Sequence, residues 1–418
     1  MSDIMKVIKS MSGECSCGRV HGTAVKDVRI GSGLVSEVGN ILRENGFPKK
    51  LLLVADRNTI EAARGIEESL GGFDVEYKIY DFIRVAEMHH VRELEDMIAG
   101  RDIGILSVGT GSVNDPCRLA SARQGKKLCI FATAPSMDGF ASDTSPIVDG
   151  GFKSSYVAKS PEVIIGDTKI LATAPSELKS AGFGDMIAKY IGLVDWKISN
   201  ILTGEVYCEK VADLTRSAVD ELMSMAHLVT VNDEVTAGKI FEALLKTGIA
   251  MSFMKNSRPA SGSEHIIAHL IECVQLRDGI IPNYHGDDVG VCTLEMLKLY
   301  GEIASMDKPS FAYENVDFDD VLDFYGNMRE DVYKANFPDN IVDGVTPEKL
   351  DSSWEEIVKA IGSVPSYEVC KEAMTKAGCK MSHCDIGKPR ELIDDCIKYS
   401  PFMRRRLTLL RLRGMLGV

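Results

Sequence analysis

The chain has 418 residues, of which 45% are apolar and 26% charged, with a formal net charge of −13. That length exceeds what one small core organises, so two domains are expected, and the composition is that of an ordinary globular protein. The acidic balance argues against a nucleic-acid or anionic-membrane binder, so an anionic small molecule needs a local basic or NH-rich site.

The N-terminal stretch "MSDIMKVIKSMSGECSCGRVHG" has no apolar run of signal-peptide type, and no segment approaches the roughly 20 apolar residues of a membrane span. A cytoplasmic protein without a membrane span is therefore expected. Eleven cysteines in such a chain read as thiols rather than as a disulfide framework. Cys15, Cys17 and His21 have the makings of a small metal knuckle. The segment lacks a fourth ligand, however, and an N-terminal hairpin is the preferred reading.

Short apolar runs then alternate with amphipathic stretches. "KLLLVADRNT" (50–59), "DIGILSVGTGSVND" (102–115) and "KKLCIFATAPSMDG" (126–139) each close in polar turn residues. Between them, "IEAARGIEESL" and "HHVRELEDMIAG" carry helical patterns. This alternation implies βαβ units and a mostly parallel, Rossmann-like sheet, with "EVIIGDTKIL" (162–171) as its last buried strand. After Pro175 the strand signals nearly vanish and helical periodicity takes over. The expected architecture is a nucleotide-binding α/β domain over 1–171 and an all-helical metal- and substrate-binding domain over 172–418. The closing basic stretch "FMRRRLTLLRLRG" reads as a terminal amphipathic helix packed on the body.

Three constellations carry chemistry. Gly109 and Gly111 follow an apolar strand and precede a helix, where backbone N–H groups can approach a pyrophosphate, although the GxGxxG fingerprint is absent. Asp56 ends a strand where an acid can accept from a ribose; the alternative is a plain N-cap. "SGSEHIIAHL" sets His265 and His269 one turn apart on one helix face. "SAGFGDMIAKY" places Asp185 on an apolar helical segment, where an unpartnered carboxylate is too costly to bury. Asp185, His265 and His285 of "PNYHGDDVGV" would make three N/O ligands with an open position, the composition of a catalytic first-row metal site.

Read in order, "GTGSVND", "TAPSMDGFAS", "AKSPEVIIGDTKILATAPSELKSAGFGD", "RPASGSEHIIAH" and "YHGDDVGV" resemble the superfamily of glycerol dehydrogenases, iron-containing alcohol dehydrogenases and dehydroquinate synthases. Within it, the second and fourth blocks are most similar to the sn-glycerol-1-phosphate dehydrogenases. The resemblance runs from Asp56 to Val291 and implies a dehydroquinate synthase-like fold and a homodimer or larger homo-oligomer. It also implies NAD(H) or NADP(H) and one divalent metal: zinc, nickel or iron. Asp185, His265 and His285 match the metal ligands, with Asp185 also touching substrate, as do Asp138 and His269. Gly111, Ser112, Val113, Asn114 and Asp115, with Thr133, Ala134, Pro135 and Ser136, match nicotinamide-nucleotide contacts. Ser142 and Asp56 join them, and Lys159 aligns with a lysine near the cofactor. The glycine turn departs from the relatives by having Thr110 between its glycines.

The implied reaction is reduction of dihydroxyacetone phosphate to sn-glycerol 1-phosphate, with His269 as proton donor or relay because imidazole titrates near working pH. Arg258 and Ser261 are the candidates for the phosphate of the substrate. The alternatives are a glycerol or polyol dehydrogenase, a cyclase of the dehydroquinate synthase type, and a nucleotide-binding protein with a degenerate site.

Overall fold

The computed structural model describes residues 2–417. The chain opens with α1 (Asp3–Met11) and a short antiparallel hairpin, β1 (Gly13–Glu14) against β2 (Val20–His21). The expected N-terminal hairpin is therefore present. Next come β3 (Asp27–Gly31), α2 (Val38–Glu44), β4 (Lys50–Asp56), α3 (Arg57–Ala62), α4 (Ile66–Ser69), β5 (Asp74–Tyr80) and α5 (Met88–Ile98). The α/β half continues with β6 (Gly104–Gly109), α6 (Gly111–Arg123), β7 (Leu128–Ala132), the hairpin of β8 (Thr144–Asp149) and β9 (Phe152–Val157), and β10 (Val163–Asp167).

Six of these strands form one parallel sheet in the order β3-β10-β7-β6-β4-β5. The strands β4, β6, β7 and β10 are buried along nearly their whole length, as a sheet covered on both faces requires. Alternate side chains go to opposite layers. Leu52, Val54, Ile105, Ile130 and Ile164 pack with α5, α6 and a long helix of the second half, α11 (Glu234–Met254). Leu51, Leu53, Leu106, Phe131 and Ile165 pack with α2 and α4.

The second half is helical. It begins with α7 (Thr168–Thr173), α8 (Ser176–Ile187), α9 (Lys189–Thr203), α10 (Glu209–Ser224), α11 (Glu234–Met254), α12 (Ser263–Arg277) and α13 (His285–Ser305), with shorter helices following to Met415. An α/β half with a parallel sheet followed by a helical half is the architecture the sequence implies. No helix among the described residues is long and apolar enough to cross a membrane.

Three expectations need correction. "EVIIGDTKIL" is not one strand: Asp167 accepts from the backbone N–H groups of Gly33, Val35 and Lys169, which ends β10 and caps α7. "IEAARGIEESL" is split into α3 and α4 at Gly65, whose φ of +98° suits glycine. "FMRRRLTLLRLRG" is not a terminal helix. A 3-10 turn (Ser400–Phe402) leads through an irregular stretch to a helix of only four residues (Leu409–Leu412), capped by Thr408. Arg404, Arg406 and Arg411 turn onto the protein body, which a regular helix would not allow.

Backbone contact joins α8 to the loop after β7 and α13 to α8. A Cβ on Gly182 of α8 would stand 2.0 Å from the Pro135 carbonyl, and one on Gly286 of α13 would stand 1.8 Å from the Ala181 carbonyl. Neither carbonyl belongs to a movable side chain, so Gly182→Ala should force α8 away from the Pro135 loop. We expect a loss of about 3 kcal/mol in unfolding free energy, readable by urea melts. A variant as stable as the parent would mean that α8 does not rest on that carbonyl.

Candidate active site

In a parallel sheet, ligands bind beyond the strand C-termini where the strand order reverses, which here lies between β4 and β6. Asp56 ends β4 and Gly109 ends β6, so the two sequence signals meet at that crevice. A cleft of about 340 Å³ opens there, walled by these strand ends, by β8 and β9, and by α12 and α13. The Asp56 carboxylate accepts from the Thr59 N–H at 2.8 Å, so it caps α3 while also lining the cleft. A Cβ on Gly111 would lie 3.5 Å from Met137 and 3.6 Å from Asp115, in space that glycine leaves to the cleft.

His265 and His285 on the opposite wall, with the fully buried Asp185 beside them, hold their ligand atoms within 4.8 Å of one another. His269, Glu272 and His285 form an overlapping group under the same limit. Each of two imidazoles has its own carboxylate: His265 Nδ1 lies 2.6 Å from Glu264 Oε1, and His285 Nδ1 lies 2.9 Å from Glu272 Oε1. A carboxylate on Nδ1 fixes the tautomer and leaves Nε2 bare for a ligand, the usual support of a metal-binding histidine. His265 Nε2 faces Asp185 Oδ1 at 3.3 Å. Glu264 and Glu272 were not foreseen; their position one residue before His265 and three after His269 is the signal that a reader could use.

The buried charges are paired. The Lys189 ammonium, fully buried, sits 2.7 Å from both Asp138 Oδ2 and Asp185 Oδ1. The Asp138 N–H donates to the second Asp185 oxygen at 2.9 Å. Burial opposes the charge on Asp185, but Lys189, His265 and His285 outweigh it and hold the carboxyl well below its usual range. Asp138 goes the other way: burial and the neighbouring Asp185 charge raise it against the pull of Lys189. Burial and Lys189 disfavour a proton on His265, yet Asp185 and Glu264 raise its affinity for one.

His269 departs from expectation. Burial and then the Arg404 charge push it well below the ordinary histidine range, so it does not titrate near neutrality. Arg404 Nη2 donates to His269 Nδ1 at 2.8 Å. Because arginine only donates, Nδ1 must accept and the ring proton sits on Nε2. His269 is therefore a neutral hydrogen-bond donor rather than an imidazolium acid.

Of the residues singled out in the sequence, Asp56, Gly111, Ser112, Asp115, Thr133, Ser136, Asp138, Ser142, Ser261, His265, His269 and His285 line the cleft. Six others do not. The Val113 and Asn114 N–H groups are spent on the Thr110 carbonyl, and the Asn114 side chain lies beneath the turn, bonded to Ser107 and the Gly109 carbonyl. Ala134 and Pro135 sit under α8, where Gly182 meets the Pro135 carbonyl. Lys159 is half exposed and paired with Glu162. Arg258 is buried away from the cleft, its guanidinium shared between Glu205 (2.9 and 2.6 Å), Ser199 (3.0 Å) and the Leu407 carbonyl (2.8 Å). Arg404, Lys153 and Arg84 are the cations that do line it, and none was foreseen. Arg118, also missed, is fully buried and ties Asp115 to the Gly139 carbonyl, which fixes the loop after β7 against α6.

Residues 29–175 match the family model described as iron-containing alcohol dehydrogenase. A curated glycerol-1-phosphate dehydrogenase (NAD(P)+) of Halalkalibacterium halodurans is 28% identical over 418 residues, covering 98% of both chains. The enzyme of that name from Thermococcus kodakarensis is 32% identical over 278 residues, 66% of this chain and 78% of its own. Among solved structures, sulfoacetaldehyde reductase from Bifidobacterium kashiwanohense in complex with NAD+ superposes with a TM-score of 0.63 at 14% identity, covering 96% of this chain and 98% of that one. A probable glycerol dehydrogenase from Sinorhizobium meliloti gives 0.58 at 18% identity, covering 83% and 99%. At such identities these superpositions establish the fold.

Two outcomes follow from the charges. Lys189→Met leaves two buried carboxylates without their cation, so metal-free protein should lose about 3–5 kcal/mol of stability. Saturating divalent metal should return part of that loss in calorimetry; equal losses with and without metal would show that no cation binds beside Asp185. Glu272 is pushed up by burial but drawn down to about 2 by Lys153 and His285, from an ordinary 4.5. Its contribution is complete above the ordinary value and disappears as the pH falls toward 2. In metal-free protein, Glu272→Gln should therefore flatten the stability–pH curve between about 4.5 and 2, by on the order of 3 kcal/mol in total.

Proposed function

Because the chain belongs to the glycerol-1-phosphate dehydrogenase family of iron-containing alcohol dehydrogenases, we propose that it reduces dihydroxyacetone phosphate reversibly to sn-glycerol 1-phosphate, using NADH or NADPH and one divalent metal. The observation that carries this reading is the pair of carboxylate-held imidazoles facing Asp185 across a cleft from the glycine turn. This N/O donor set suits zinc, nickel or ferrous iron. When bound, the metal supplies Lewis-acid polarisation of the substrate carbonyl and the reduced nicotinamide supplies hydride.

The chain's own residues do the rest. Asp185, His265 and His285 hold the metal, with Glu264 and Glu272 keeping both imidazoles turned toward it. Gly111 and Ser112, at the start of α6, offer backbone to a pyrophosphate at the positive end of the helix. Asp56 lies at the end of β4, where a ribose would reach it. His269 donates from Nε2 to the substrate oxygen while Arg404 fixes its tautomer. Asp138 reaches both the cleft and Lys189, and so orients substrate beside the ligand set.

The phosphate requires cations in an acidic protein. Arg404 lines the cleft with Ser257 and Ser261, and Arg406 donates to the Ser261 carbonyl and Ser257 Oγ, both at 2.7 Å. Arg404 with Ser261 therefore takes the place expected for Arg258.

The decisive assay follows nicotinamide absorbance with metal-reconstituted protein, dihydroxyacetone phosphate and NADH or NADPH, beside glycerol with NAD+. Oxidation of the reduced nicotinamide yielding the sn-1 ester is the expected result. Turnover of glycerol alone would replace this reading with a polyol dehydrogenase. Arg404→Ala should raise KM for the phosphate ester at least tenfold. Arg258→Ala should lower Tm without a selective change in that KM; the reverse pattern would restore Arg258 as the phosphate group.

A further inference from the structure

Three thiols and an imidazole converge outside the cleft. Cys15 and Cys17 lie on the turn between β1 and β2, His21 ends β2, and Cys208 immediately precedes α10. The hairpin supplies three donors and a segment 193 positions from Cys15 supplies the fourth. All four ligand atoms lie within 4.8 Å of one another. Cys15 Sγ is 3.7 Å from Cys208 Sγ, and Cys17 Sγ is 3.4 Å from His21 Nε2.

Both distances match the edges of a metal-centred tetrahedron. A tetrahedral zinc ion with bonds of about 2.3 Å to sulfur and 2.0–2.1 Å to nitrogen separates its ligands by about 3.8 Å (S···S) and about 3.5 Å (S···N). A disulfide would bring two sulfurs to about 2.05 Å, well inside the 3.7 Å found here. We propose that Cys15, Cys17, His21 and Cys208 form a second metal site, separate from the cleft, that holds a structural zinc ion.

The surroundings suit that ion. His21 is 2% exposed and stacked on Phe253 at 5.3 Å and 11°, with Nε2 toward Cys17. The Val211 N–H donates to the Cys208 carbonyl at 3.1 Å, which anchors Cys208 at the start of α10. Three thiolates and one neutral imidazole around Zn²⁺ carry one net negative charge. Lys210 and Arg19 are the cations whose charge reaches His21. Binding releases three thiol protons to solvent and involves no electron transfer. With four protein ligands there is no open position, so the role is structural. The ion would staple the N-terminal hairpin to the start of α10, beside the packing of α1 and β2 on α11.

The test uses full-length protein purified under reductant. Metal analysis of zinc-loaded protein should find two equivalents per chain, and cobalt-substituted protein should show intense thiolate-to-cobalt charge transfer in the near ultraviolet. His265→Ala with His285→Ala should lose one equivalent and keep that band. Cys208→Ser should lose the other equivalent and the band, lower Tm by about 5 °C or more, and keep whatever turnover the parent has. No thiolate band in cobalt-loaded parent protein overturns the proposal even if the variants fail to fold. So does an unchanged metal count in Cys208→Ser, or a Cys15–Cys208 disulfide by mass spectrometry. None of these readouts depends on which substrate the cleft takes.

Discussion

Backbone resting on backbone along α8 is the constraint on which the cleft depends. Gly182 lets α8 sit against the Pro135 carbonyl, and Gly184 and Gly286 let α8 and α13 cross with carbonyls where side chains would be. At that distance a single turn of α8 presents Asp185 to α12, and the first residue of α13 presents His285 to the same point. A wider crossing would separate Asp185, His265 and His285, which come from three different helices. The glycines of "SAGFGD" and "YHG" therefore act by approach; neither Gly182 nor Gly286 has a positive φ.

The second constraint is charge. Asp138, Asp185, Glu264 and Glu272 surround the imidazoles, and holding three buried carboxylates and one nearly buried without cations would not be tolerated. Lys189 answers Asp138 and Asp185, Lys153 answers Glu272, and the histidines take up the remainder. A divalent cation, where we propose it, would enter this set as one more positive partner, beside a lysine that already pairs with Asp138 and Asp185. The arrangement thus separates stability of the apo protein from metal affinity, which pockets built only of acids and histidines cannot do.

Much of this was legible because it was local. The strands β4, β6 and β7 announce themselves as apolar runs closing in turn residues, and His265 and His269 declare a shared face by their spacing. Strands with weaker signals were missed: β5 is half exposed at the sheet edge, and the β8–β9 hairpin is marked only by the Asp149-Gly150-Gly151 turn. What failed was what depends on distant partners. Arg258 and Arg404 look alike in sequence, and only Glu205 and His269, far along the chain, decide which one is spent and which one reaches the cleft. Cys15 and Cys17 likewise looked one ligand short because Cys208 arrives through the fold.

The chain end explains how an acidic protein presents cations to its cleft. Asp195, fully buried in α9, accepts from the Ser263 N–H and hydroxyl at the start of α12, from the Tyr300 hydroxyl of α13 and from the Leu409 N–H. One carboxylate thereby holds the C-terminal segment to the helices that carry the histidines. Arg404, five residues before Leu409, is brought in by that anchor and donates to His269 Nδ1. The same guanidinium sets the imidazole tautomer and supplies positive charge to the cleft. An anion bound at Arg404, as we propose for the substrate phosphate, would compete for the donor that keeps the His269 proton on Nε2 and so couple its charge to the imidazole tautomer through one side chain.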